Sequence, residues 1–222
     1  MPTVFIYRLI WYNETMATIH KESLQRIIAL YKQGYSAREI AEQLGVPLDA
    51  VYYFFRKYHI VRRTPKENSA LQFQKKLPSF QVKEKRTPEE EVLRIAGTML
   101  YWGEGSKWSG EVIVDFANSD PTMIKIFLAF LRRICGVDEK KLRVFLYCYE
   151  NQDPEKLISF WKQCTKISAR QFTKPYIRKD FQISKTGKMK YGLVHIRYGD
   201  KKLLMLIRNW IDEFVRMYAG NL

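Results

Sequence analysis

The segment SAREIAEQLGVPLDAVYYFFRK, residues 36–57, constrains the fold more than any other part of this 222-residue chain. Ser36, followed by Glu39 three positions later, forms a capping-box pattern that predicts the beginning of a helix. Gly45 predicts a tight turn, and Pro47 suits the first turn of the next helix. Apolar residues at helical spacing predict the buried face of that helix, namely Val51, Phe54 and Phe55.

A further helix is predicted before this segment, since apolar residues recur at helical spacing up to Gly34, which is typical of a helix end. These residues are Leu24, Ile27, Ile28 and Tyr31. Three short helices with a glycine-bearing turn between the last two form a helix-turn-helix. The pattern resembles the resolvase-type and homeodomain-like helix-turn-helix family. A helical bundle that binds another protein is the alternative that the sequence leaves open.

The resemblance implies DNA contacts on the third helix, whose outward-facing residues enter the major groove in this family. These residues are Leu48, Asp49, Tyr52, Tyr53, Arg56 and Lys57. Arg56 and Lys57 are equally suited to phosphate contacts, which position a protein without specifying sequence. Arg62 and Arg63 follow the helix and resemble the basic arm that such domains lay along a groove.

The charge of the chain favours a polyanionic partner. Against 23 Asp and Glu stand 38 Lys and Arg, a net charge of +15, so nucleic acid is the leading candidate. The helix-turn-helix resemblance favours double-stranded DNA. No stretch reaches the roughly 18–20 uncharged apolar residues that a membrane span requires, and the opening residues lack the basic start of a signal peptide. Cys135, Cys148 and Cys164 are isolated and odd in number, so they indicate neither disulfides nor zinc and fit a reducing cytoplasm.

Two domains and a linker are predicted. Residues 16–63 form the helix-turn-helix domain. Residues 64–86 carry prolines and many lysines without sustained periodicity, which predicts a basic linker with room for a short helix around Leu71. Residues 87–222 form the second domain. Two interpretations of residues 1–15 stay open, namely an extra strand and a mispredicted start of the protein ahead of its true first residue.

The second domain is predicted to begin with a helix at TPEE, residues 87–90, where an N-cap, a proline and acidic residues coincide. Apolar residues lie on nearly all sides of this helix, so we expect burial on more than one side. Ala96, Gly97 and Gly103 are small and would let a second helix approach closely. Further amphipathic helices are predicted over residues 121–135, 154–164 and 202–218.

Strands with period-two alternation are predicted over residues 142–149, 172–178 and 191–198. Each has an apolar face and a basic, aromatic face, so helices packed on one face of the sheet would leave the second face for DNA. The contacts predicted there are Arg143, Lys174, Tyr176, Arg178, Lys188, His195 and Arg197. Glu111 and Asp115 fit less well, because they would repel phosphate. A solvated face that only keeps the protein soluble is the alternative.

The sequence GTMLYWGEGS, residues 97–106, resembles the signature of the LAGLIDADG homing-endonuclease family. VIVDFANSD, residues 112–120, is similar to the strand and turn that follow in that family, and the resemblance covers about residues 87–218. It implies signature helices that pair through Ala96, Gly97 and Gly103 in a twofold homodimer. The chain is then predicted to be α+β, with a three-helix helix-turn-helix joined to a LAGLIDADG-like domain whose helices cover one face of a mainly antiparallel sheet.

The same resemblance makes Glu104 the candidate catalytic and metal-binding residue. In active members an acid here holds a divalent metal above the scissile phosphate, and Mg²⁺ prefers such oxygen ligands. The family also contains regulators that have lost cleavage, so a site-specific endonuclease and an inactive transcriptional regulator both stay open, with an RNA-binding protein as a third class. A plain helix-terminal turn, with Gly103 or Gly105 left-handed, is the alternative role for this segment.

Overall fold

The computed structural model describes residues 21–179 and 189–220. The chain divides into two compact units between Leu77 and Pro78. The interpretations of residues 1–15 and of Lys188 lie outside the described residues.

The described part of the first unit is helical. Its helices are α1 (Lys21–Lys32), α2 (Ala37–Leu44), α3 (Leu48–Lys57) and α4 (Pro65–Lys75). Both halves of the predicted capping box at α2 are present, since the Ser36 hydroxyl accepts the Glu39 N–H and the Glu39 carboxylate accepts the Ser36 N–H at 2.6 Å. Gly45 is left-handed, with φ of +65°, as the tight turn requires. The buried core includes Ile27, Ile40, Ala41, Val51, Phe54 and Phe55.

Helix α4 contains Leu71, around which the predicted linker over residues 64–86 left room for a short helix. Thr64 and Glu67 form a second capping box, and Lys75 Nζ donates to the Gly34 carbonyl oxygen at 2.9 Å. The Leu71 side chain lies beside Gly34. The helix was underestimated because its apolar residues are few and its partner, Gly34, is about forty positions away in the sequence.

The second half of that predicted linker is part of the second unit. Phe80 forms an antiparallel bridge with Val137, and the Lys83 N–H donates to the Ile134 carbonyl at 2.9 Å. Ser79 donates through both its N–H and its hydroxyl to the Asp200 carboxylate, each at 2.8 Å. Residues 79–83 are therefore held by hydrogen bonds to the rest of the second unit.

The second unit alternates helices with strands. Its elements are α5 (Pro88–Glu104), β1 (Val114–Asn118), α6 (Pro121–Ala129) with a π-helical turn (Phe130–Ile134), β2 (Leu142–Tyr149), α7 (Pro154–Thr165), β3 (Tyr176–Arg178), β4 (Leu193–Tyr198) and α8 (Lys201–Tyr218). Short 3₁₀ turns lie at Glu139–Lys141 and Ala169–Gln171.

The strands of the described residues form one mixed sheet in the order β1-β4-β2-β3. Strand β4 pairs antiparallel with β1 and β2, whereas β2 and β3 are parallel. Strand β3 is shorter than predicted, and Phe172 makes only an isolated bridge to Val144. Pro175 precedes the strand and has no N–H to donate to a ladder.

Alternating residues divide the sheet into two faces, as predicted for β2 and β4. The inner face packs against the helices, and its buried members include Val114, Phe116, Val144, Leu146, Val194 and Ile196. From the helices, the same core contains Tyr101, Ile124, Phe127, Leu157, Trp161, Leu203 and Ile207. The described residues of the second unit are therefore α+β, with helices on one face of the sheet.

Helix α5 is buried on one side only, which corrects the expectation of burial on several sides. Gly97 is buried, and a Cβ built there would lie 2.1 Å from Cγ of Phe130. On the other side, Val92 is 65% exposed and Trp102 is 46% exposed. The small residue predicted for a dimer interface at Gly97 therefore serves a close contact within the chain.

Candidate nucleic-acid interface

Helix α3 presents a polar outer face above its apolar inner face. Ala50, Val51, Phe54 and Phe55 are buried. The outer face exposes four of the six residues predicted to contact DNA, namely Asp49, Tyr53, Arg56 and Lys57. The other two, Leu48 and Tyr52, are half-buried and pack against the core of the first unit.

Aromatic rings and cations are interleaved around the end of α3. Lys57 Nζ lies 5.8 Å from the ring centre of Tyr53 and 5.6 Å from that of Tyr58. The Arg62 guanidinium lies 4.6 Å from the ring centre of Tyr52. Tyr58, which is exposed, was missed in the sequence because it lies past the last apolar position of the helix. This outer face joins hydrogen-bond donors with flat rings, which suits contacts with DNA.

Arg63 departs from its predicted role as part of a basic arm. Its guanidinium lies 4.0 Å from the ring centre of Tyr31 and donates to the Tyr35 carbonyl. Its N–H also donates to the Tyr31 hydroxyl at 2.8 Å. Because Arg63 is held by α1 and the turn after it, Arg62 alone is the exposed member of the predicted pair.

The outer face of the sheet brings three strands into one polar surface. The register places Asp115 of β1 beside Arg197 of β4, and Arg197 beside Arg143 of β2. Arg143 is exposed, and its guanidinium donates to the carbonyls of Lys140 and Leu142 at 2.7 and 2.8 Å. Lys174 is also exposed.

Asp115 is the centre of an ion-pair group that sequence reasoning missed. It is only 8% exposed and accepts hydrogen bonds from Nε of Arg197 at 2.7 Å and Nδ1 of His195 at 2.9 Å. The prediction treated Asp115 as a charge that repels phosphate. Its pairing with Arg197 offsets that repulsion, because the two opposite charges largely cancel at a distance.

Aromatic rings lie among the charged residues of this face. The Tyr147 ring centre lies 4.9 Å from that of His195 and 5.3 Å from that of Tyr176. The Arg197 guanidinium lies 4.0 Å from the ring centre of Phe145. Alternating cations and rings on an open sheet are typical of nucleic-acid-binding surfaces.

Glu104 is exposed at the end of α5. Gly103 is helical and Gly105 has φ of −76°, so the alternative of a left-handed turn is wrong. Gly105 is required instead by a close approach, since a Cβ there would lie 2.5 Å from the Tyr101 carbonyl oxygen. Across the described ranges, no group of three or more His, Cys, Asp or Glu side chains is placed to hold a metal ion. The metal-binding role predicted for Glu104 involves one carboxylate from each of two copies, so it stays a prediction.

Residues 17–57 match the family model of the helix-turn-helix domain of resolvase. The match contains α1, α2 and α3, so the chain carries the resolvase-type helix-turn-helix that its sequence predicted. No curated protein and no solved structure matches the chain. None of the described helices is both long enough and apolar enough to cross a membrane.

Proposed function

We propose that this protein binds double-stranded DNA in a sequence-specific manner, with α3 as the helix that enters the major groove. The observation that carries the proposal is the outer face of α3, which exposes Tyr53, Arg56 and Lys57 within a matched helix-turn-helix. Helices of this motif place such outward residues against base edges and phosphates.

The second unit adds a second contact surface in this proposal. Its outer sheet face carries Arg143 and Arg197 on the neighbouring strands β2 and β4, and Lys174 is exposed just before β3. The whole chain has a net charge of +15. Two binding surfaces on one chain raise the affinity, because the second binds at the high effective concentration that the first provides.

The test begins with duplexes selected by the full chain from a random pool. Arg56→Ala with Lys57→Ala should weaken binding of the selected duplex by about tenfold to a hundredfold, and the salt dependence should become shallower, because up to two phosphate contacts are lost. The matched control is Lys125→Ala with Lys162→Ala, which removes the same charge from exposed positions on α6 and α7. An equal loss of affinity in both double variants would show that the effect comes from net charge alone and would contradict a role for α3.

A second candidate is the magnesium-dependent endonuclease implied by the LAGLIDADG resemblance, acting as a homodimer. The exposed side of α5 favours it, since Val92 and Trp102 are exposed there and nothing lies within 4 Å of a Cβ placed on Gly103. Ala96 is half-buried on the same helix. Pairing of this side in two copies would bring two Glu104 carboxylates together, which a single chain lacks.

Two measurements test this candidate, namely the molecular mass in solution and the cleavage of DNA. Light scattering should give twice the 26.5 kDa chain mass, and the selected duplex should be cut in Mg²⁺ by the wild type and left intact by Glu104→Gln. Uncut duplex with unchanged affinity in both proteins would assign the chain to the alternative class, a regulator that binds without cleavage.

A further inference from the structure

We propose that the outer sheet face also binds an unpaired nucleobase, in a cleft that is lined by Tyr147, Tyr176, Arg178 and Lys179. This inference rests on the proposed nucleic-acid-binding function and adds a preference for unpaired segments. These four residues are called the aromatic cleft.

The two rings of the aromatic cleft are adjacent but not stacked. Strands β2 and β3 are parallel, with Tyr147 in register with Tyr176, so both side chains lie on the same face. Their ring centres are 5.3 Å apart and their planes make an angle of 52°. The cleft has a volume of about 640 Å³, which lies within the range of small-ligand sites, roughly 300–1,000 Å³.

One wall of the cleft is held in place and the other is open. Tyr147 packs against the His195 ring at 4.9 Å, and His195 is hydrogen-bonded to the buried Asp115 at 2.9 Å. Tyr176 lies on the short edge strand β3 and is 61% exposed. The exposure of Tyr176 leaves much of its side chain accessible to a ligand.

The charges at the cleft select a nucleic acid over an uncharged flat ligand. Arg178 and Lys179 line it, and the Arg178 guanidinium lies 5.5 Å from the ring centre of Tyr149. Cations beside stacking rings match the phosphates that flank each base of a strand.

The accessibility of the base faces determines whether the aromatic cleft binds a duplex or an unpaired segment. In a duplex the faces of each base are covered by the neighbouring bases, so a protein ring reaches them only where a base is unstacked. The recognition helix α3 suits the major groove of a duplex, whereas the aromatic cleft suits a single strand, a bulge or a frayed end. Stacking on one tyrosine tolerates any base, because every base has a flat face.

The experiment uses oligonucleotides that carry the fluorescent base 2-aminopurine in a DNA single strand, an RNA single strand and a fully paired duplex. The full-length protein should quench the fluorescence of a single strand on binding and leave the paired duplex unchanged. Tyr176→Leu should abolish the quenching and weaken single-strand binding about tenfold, within the range for loss of one stacked base. Tyr176→Phe should retain both, since it keeps the ring. Tyr218→Leu is the matched control, because it removes an exposed tyrosine from α8.

Quenching of either single strand that depends on the Tyr176 ring supports the aromatic cleft, and comparison of the two affinities identifies the preferred sugar. Quenching that Tyr176→Leu leaves intact, or its absence from both single strands, overturns the inference. A different result contradicts the proposed function, namely duplex binding that Arg56→Ala with Lys57→Ala leaves unchanged. Thermal unfolding of Tyr176→Leu should match the wild type, because the replaced side chain is exposed.

Discussion

Asp115 on β1 accepts a 2.7 Å hydrogen bond from Nε of Arg197 on the adjacent strand β4. The two residues face each other across the antiparallel ladder, so the ion pair fixes the Arg197 side chain beside the Phe145 ring. A carboxylate in the middle of a cationic face thus positions one cation and limits the net charge of the surface. The same carboxylate holds His195, which packs against Tyr147 of the aromatic cleft.

Replacing Asp115 with Asn should change stability and binding in opposite directions. The second unit should lose about 1–3 kcal/mol of unfolding free energy, because Arg197 loses the buried, charged carboxylate to which it donates a hydrogen bond. Affinity for duplex DNA at low salt should rise, since the face becomes more positive, and added salt should remove the gain. Urea unfolding and salt titrations of binding measure both. Glu155→Gln, an exposed change on α7, is the control for loss of one negative charge.

The neighbours Arg62 and Arg63 should give different phenotypes. Arg63→Ala should destabilise the first unit by about 1–2 kcal/mol, since it removes the contact with Tyr31 and the hydrogen bond to Tyr35. Arg62→Ala should leave stability within about 0.5 kcal/mol and weaken DNA binding, because Arg62 is exposed beside α3. Circular-dichroism melts and DNA titrations separate the two effects. Equal loss of stability in both variants would contradict the structural assignment of Arg63.

Local signals were sufficient to predict much of this fold. Ser36 with Glu39, and Thr87 with Glu90, lie three positions apart and cap their helices through bonds that involve no distant residue. The two faces of β4 follow from period-two alternation. The match at residues 17–57 confirms the helix-turn-helix that these short-range patterns predicted.

Features that depend on distant partners could not be predicted. Asp115 meets His195 across 80 positions of sequence, and no local pattern indicates that pairing. Gly97 looked like a contact for a second helix, but its neighbour is Phe130 of the same chain. The roles predicted for Glu104 and for the basic residues of the sheet remain predictions, because they concern partners and not the fold.

Stability of the second unit should fall in acid through Asp200. Burial raises the pKa of this carboxyl group, but hydrogen bonds from the N–H and hydroxyl of Ser79 and from the N–H of Lys202 outweigh it, and the pKa lies below the ordinary value of 3.8. A lowered folded-state pKa contributes stability that is complete above the unfolded-state pKa and is lost as the pH falls through the folded-state pKa.

The pH dependence is isolated by comparison with Asp200→Asn. Near neutral pH this variant should be about 1–3 kcal/mol less stable than the wild type, and the difference should shrink as the pH falls below about 3.8. Urea unfolding followed by tryptophan fluorescence, to which the buried Trp161 contributes, measures it at each pH. Asp212→Asn, an exposed change on α8, should show no such trend. A difference that stays constant with pH would contradict the role of the Asp200 charge.

Two glycines of α5 should respond oppositely to alanine. Gly97→Ala places a Cβ 2.1 Å from Cγ of Phe130, so we expect a loss of about 2 kcal/mol or more, since the packed core must shift to admit the methyl group. Gly103→Ala meets no atom within 4 Å, and it should be neutral or stabilise the helix by up to about 1 kcal/mol. Urea unfolding of the two variants is the measurement.

The pair Gly97→Ala and Phe130→Leu extends this comparison into a double-mutant cycle. If the added methyl group clashes with Phe130, the smaller leucine should restore part of the lost unfolding free energy. The double variant should then be less destabilised than the sum of the two single variants. Additive losses would place the clash elsewhere. The cycle also separates the contact within the chain from pairing of α5 in a homodimer, because a contact between copies would make the loss vary with protein concentration. We expect no such variation, since Gly97 is buried against its own chain.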